Sequence, residues 1–170
     1  MSFAEDLHQW QGFFTLLGEA TASFAGLLFV ALALNAERFA TNENRHLMLL
    51  ARQTFFNLMA LTAISLLALA PSFAVSSTLG QALIAASGAG IGTCLMAIRE
   101  EKRVRVDKRP SREYVRAYYG PAIMYGLQLI PAIRMVEGTP NNLSYVSAAA
   151  IALLLTSARN AWLLLFLPSK

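Results

Sequence analysis

Charge is sparse in this chain. Only 14% of its 170 residues are Asp, Glu, Lys or Arg, against about 25% in soluble domains. Between Gln53 and Ile98 there is none at all, a run more than twice the ~20 residues that a membrane-spanning helix needs. Cysteine is scarcer still. Cys94 stands by itself in an apolar stretch, which excludes a disulfide framework and a thiolate metal site. His8 and His46 have no ligand-type neighbours, so no metal is expected. HExxH, GxSxG, Cys–His and paired-carboxylate patterns are missing, so the expectation is no enzyme and no cofactor. GAGIGT at 88–93 has the look of a phosphate-cradling loop. It follows no strand, lacks the downstream acid and lies inside the apolar run, which excludes nucleotide binding. The acidic start, MSFAEDLHQW, has no basic n-region and no small-residue cleavage site, so the first apolar segment is expected to be retained.

What fills the chain instead is apolar: 56% of residues are hydrophobic and the mean hydropathy is +0.48. The pattern predicts an all-α integral membrane bundle, one transmembrane domain with five spans at about 11–36, 44–70, 79–98, 114–136 and 143–167. A short amphipathic lead-in precedes the first span. Phe3, Leu7, Trp10 and Phe14 share its apolar face, with Trp10 at headgroup level. The third span is so rich in Gly, Ala and Ser that neighbours can approach it closely, which places it at the centre. The fourth, with Gly120, Pro121, Gly126, Pro131 and Arg134, is expected to be kinked and protein-facing. With only four spans, residues 117–133 become a re-entrant or surface segment.

The net charge of +4 and pI of 9.6 invite a nucleic-acid partner. The bases are not spread over a surface, however. Arg99, Lys102, Arg103, Arg105, Lys108, Arg109, Arg112 and Arg116 crowd the 99–116 connector, interleaved with four acids. In a membrane chain such a cluster sets topology: the connector and Lys170 are cytoplasmic, and the amino terminus is outside. The same bases suit anionic lipid headgroups at the cytoplasmic face. No nucleic-acid partner is expected.

The candidate functional residues are the polar ones at membrane depth. On a helical wheel Gly12, Thr15, Glu19, Ala22, Ser23 and Gly26 share one side of the first span, which predicts a protein-facing seam of small residues carrying one acid. Gly18, Ala22 and Gly26, with Gly88 and Gly92 of the third span, are the expected packing glycines and alanine. Glu19 is either an ion or proton site or a structural partner of Arg134. Glu37 returns to the angle of Glu19 and ends the same seam. Arg52 and Arg159 either snorkel to the inner headgroups, Arg159 with Trp162 as anchor, or pair with Glu37 or a phosphate. Gln53 and Asn57 are expected to face the bundle and bond between helices. Tyr114, Tyr118, Tyr125 and Gln128 make an aromatic-polar stripe on the fourth span.

Trp10, Phe13 and Phe14, then Gly18, Ala20, Ala22 and the run Ala25–Ala31, and later Ser157-Ala158-Arg159-Asn160-Ala161-Trp162, resemble a family of small bacterial inner-membrane proteins. Some members carry the label of modulator of a membrane-bound protease. The resemblance covers about a quarter of the chain. It implies a bacterial inner membrane and supplies no catalytic residue; Glu19 stands where the family has a small residue.

Two functions follow as expectations. One is a homo-oligomeric ion channel or small permease, because 170 residues leave little outside the bilayer for other work. The alternative is a regulatory subunit docked on a larger membrane protein, such as a membrane protease.

Overall fold

The computed structural model describes residues 3–36, 45–73, 75–104, 112–139 and 142–166. Five long helices carry the described chain: α1 Phe3–Leu34, α2 Arg45–Leu69, α3 Ser76–Val104, α4 Arg112–Val136 and α5 Leu143–Phe166, with one 3-10 turn at Pro71–Phe73. No strand occurs among the described residues. α1, α2, α3 and α5 are long and apolar enough to cross a membrane. The protein is therefore an all-helical, multi-pass type of chain.

Helix ends follow local chemistry. α2 stops two residues short of Pro71, since the residue before a proline is driven out of the helical region. Two residues past the end of α4 comes Gly138, whose φ of 78° favours glycine. The Gly138 amide bonds the Met135 carbonyl at 3.2 Å and the Thr139 amide bonds the Arg134 carbonyl at 3.0 Å, a Schellman close. Asn142 then donates to the Thr139 carbonyl at 2.7 Å, tying the turn to the start of α5.

α2, not α3, is the central helix. It packs on α1, α3 and α5 and touches α4, while α3 packs mainly on α4. The expectation for α3 fails because small residues permit close approach without compelling it on every side. Gly88 and Gly92 would add a Cβ into open space. α1 and α4 lie on opposite flanks: α1 packs on α2 and touches α5, and α4 packs on α3 and α5. The core between them holds Phe14 and Leu17 of α1, Leu61 and Ile64 of α2, Leu79 and Leu83 of α3, Tyr125 of α4 and Leu153 of α5.

One further expectation changes, and the fourth helix falls where it was expected. The lead-in and the first span are one unbroken helix of 32 residues, because nothing between Trp10 and Phe14 interrupts helical bonding. Residues 117–133 lie within continuous helix α4 despite Pro121 and Pro131.

Candidate functional site

Along α3 Leu79 is buried, and from Gly80 onward the residues turned inward are Gly80, Leu83, Ser87, Gly90, Cys94, Ala97 and Glu101. Their spacing alternates three and four, the heptad seam of two helices crossing at a shallow angle. α4 fills that seam. A Cβ on Gly80 would sit 2.7 Å from the Ala132 carbonyl oxygen, and one on Gly90 would sit 2.5 Å from the Tyr125 ring. Of the GAGIGT glycines Gly90 alone serves this helix contact, making room for an aromatic ring, and the motif lies wholly within α3.

Tyr125 is fully buried, and its hydroxyl donates to Asn57 Oδ1 at 3.1 Å. Gln53, one turn away on α2, donates to the same oxygen at 3.0 Å and to Cys94 Sγ at 3.2 Å. Asn57 and Gln53 are 0% and 3% exposed. Three helices are therefore joined: α4 to α2 through the Asn57 oxygen that accepts twice, and α3 to α2 through the Gln53 amide that also reaches Cys94. The donors beside it are less well served. Asn57 Nδ2, Gln128 Nε2 and Ser87 Oγ are enclosed and have no hydrogen-bond partner. Gln128 lies one turn beyond Tyr125 on α4, and Ser87 one turn beyond Gly90 on α3, so these two share a level about one turn from Asn57. An enclosed amide or hydroxyl without a partner costs about 1–3 kcal/mol, and more where lipid rather than water surrounds the bundle. The arrangement can present donors to a small acceptor: a carbonyl, a carboxylate, a halide or water.

The residues singled out from sequence separate into three groups. Asn57, with Gln53, lies at the heart of the cluster. Tyr118, Tyr125 and Gln128 of the α4 stripe face inward with it. Arg52 stands at the rim, exposed, with its guanidinium 3.7 Å from Glu100 of α3. The sequence reading did not foresee this acid: α3 runs on past Ile98, bringing Glu100 beside α2. Such an exposed pair contributes less than ~1 kcal/mol. Accordingly Arg52→Gln should move the unfolding midpoint in a denaturant titration only slightly, and a shift above that size would reveal a buried role.

The third group points away from the cluster. Glu19, Ala22 and Gly26 are exposed, and a Cβ on Gly26 would meet nothing. The first-span seam is therefore inverted: Phe14, Leu17, Thr21, Ala25 and Leu28 face the bundle. Only Gly18 packs as expected, against Ser65, with Thr21 bonded to Thr62 at 2.8 Å beside it. Glu19 and Arg134 form no pair within one protomer, because α1 and α4 occupy opposite flanks. Arg134 and Arg159 are exposed, as are Arg99, Lys102 and Arg103 of the connector. Glu37, Arg105, Lys108 and Arg109 lie outside the described residues, and Arg112 and Arg116 are described only in backbone.

Sequence reasoning missed Ser87, Cys94 and the buried Glu101. Their signal was the three-four spacing from Gly80 onward. No group of three or more His, Cys, Asp or Glu that could hold a metal occurs among the described residues. No family model, curated protein or solved structure matches the chain.

Proposed function

We propose that the protein is a small membrane permease that passes a small hydrogen-bond-accepting solute through the interior of each protomer. One observation carries this reading: three enclosed donors, Asn57 Nδ2, Gln128 Nε2 and Ser87 Oγ, lie within about one helical turn of one another in depth, without partners, in a bundle most of whose long helices are of membrane-crossing type. Polar side chains held at membrane depth mark substrate paths, and solute sites of transporters lie near the bilayer midplane. A permease of this kind crosses the membrane five times, with α4 as a flanking span whose outer face is apolar. It sits in a bacterial inner membrane with its basic connector in the cytoplasm. A path inside the protomer is favoured over an ion pore lined by Glu19, since Glu19 lies on the far side of α1 from the cluster.

Purified protein in liposomes tests the proposal. Vesicles should swell in stopped-flow light scattering at least tenfold faster than empty vesicles with one of urea, acetamide, acetate or chloride. Uniform rates across that set, with protein insertion verified, would remove the permease reading.

A further inference from the structure

We infer that copies of this chain assemble head to tail, the outward face of α1 on one copy lying in the groove between α4 and α5 of the next, with Glu19 paired to Arg134 across the contact. The contact carries no solute and is independent of the permease reading.

The groove is a cavity of about 420 Å³ along α4 and α5. Leu127, Ile130, Ala148, Ala149 and Ala152 give it apolar, mostly low walls, and Arg134 stands at one end. The α1 face is its counterpart: low relief at Ala22, Ser23 and Gly26, with a single acid, Glu19. Ala22 and Gly26 are four apart on α1, and Ala148 and Ala152 are four apart on α5. Small residues at that spacing let two membrane helices approach closely.

Depth decides the match. Gly18 meets Ser65 and Thr21 meets Thr62, which fixes the antiparallel register of α1 on α2. Asn57 meets Tyr125, which fixes α2 against α4. Gly120 meets Thr156 and Asn160 bonds the Ala117 carbonyl, which fixes α4 against α5. By this register Glu19 lies level with Ile64 and with Ala132. That is two residues from Arg134, or ~3 Å along the axis. Ala22 lies level with Leu129 and Ser147, beside Ala148. Gly26 lies level with Tyr125, at the end of the groove marked by Met124 and Ala152. The whole α1 face from Glu19 to Gly26 thus falls within the length of the groove.

Side-chain direction narrows the remaining gap. Side chains lean toward the N-terminus of their helix. α1 and α4 run oppositely, so Glu19 and Arg134 lean toward each other in depth when both copies insert the same way. Neither has an ion-pair partner within its own protomer among the described residues. An acyl chain would also fill the groove, with its phosphate at Arg134, but would leave the Glu19 carboxylate bare in lipid. A second copy answers both charges. The contact joins two different surfaces, so repetition closes a ring when the rotation divides a full turn.

The test uses two full-length chains with different tags, one Ala22→Cys and one Ala148→Cys, oxidised in native membranes. Cys94 is buried, and the chain without added cysteine serves as control. A mixed disulfide dimer should form only when both variants are co-expressed. Glu19→Arg or Arg134→Glu alone should lower its yield at least tenfold, and the two together in every chain should restore it. Glu19→Gln and Arg134→Gln, which add no new charge, should lower the detergent-corrected mass of the oligomer. The inference fails on any of three results: no mixed dimer; Ala22→Cys linking to itself, which marks a face-to-face contact; or a monomeric mass with a lipid that Arg134→Gln releases.

Discussion

Gly80→Ala and Gly90→Ala should each destabilise the protein by about 1–3 kcal/mol, the cost of overpacking a close contact. At Gly80 the new methyl meets the Ala132 carbonyl oxygen at 2.7 Å, and Met135 and Val136 side chains at 3.0 Å. Backbone cannot swing aside, so α3 and α4 must separate along their shared seam. At Gly90 the obstacle is a ring, but Tyr125 is 0% exposed and its hydroxyl is held by Asn57. Displacing it also breaks the hydroxyl's bond to Asn57 and leaves a buried donor without its acceptor. Gly88→Ala and Gly92→Ala meet nothing within 4 Å. They should be neutral or stabilising by up to ~1 kcal/mol, because alanine is the better helix former. Four substitutions of one type within one helix thus divide by sign. Thermal unfolding in detergent, followed by circular dichroism, reads all four; a uniform loss across them would contradict the α3–α4 seam.

The same seam shows what was legible in the chain and what was not. Helix positions were readable because apolar runs end at Pro71, at the 137–142 turn and at the connector, and the helices start and stop close to those marks. Gln53 and Asn57 were readable because an amide in an apolar span must find partners inside the bundle. Which face of α1 turns inward was not. In water, hydrophobicity separates the two faces of a helix. In lipid both can be apolar, and a small-residue side fits equally against a partner helix or a second copy. Phe14, Leu17 and Leu28 filled the space beside α2, leaving Glu19, Ala22 and Gly26 outside. α3 held a stronger signal than its glycine content. Gly80, Leu83, Ser87, Gly90, Cys94, Ala97 and Glu101 keep a strict three-four rhythm, and that rhythm separates Gly90 from Gly88 and Gly92. The close approach itself depended on Tyr125 of α4, a partner that spacing within α3 does not reveal.

Ser87→Ala and Gln128→Leu should lower solute flux at least tenfold while leaving stability unchanged or raised. The combination is unusual for fully buried positions, where most substitutions destabilise. Here the groups removed have no partner: Ser87 Oγ and Gln128 Nε2 are enclosed and unbonded. Replacing an unsatisfied polar group by an apolar one of similar shape is close to neutral or favourable. Asn57→Leu is the contrast. Its Oδ1 accepts from both Tyr125 and Gln53, so its loss leaves two buried donors short of an acceptor, at about 1–3 kcal/mol each. If the cluster serves only to bind helices together through ordered water, Ser87→Ala should destabilise by breaking that water's bonds, and the solutes tried should cross no faster than in empty vesicles. If it serves passage, stability and flux move apart at Ser87 and Gln128 and fall together at Asn57. Unfolding and light-scattering measurements on the same three preparations separate these outcomes.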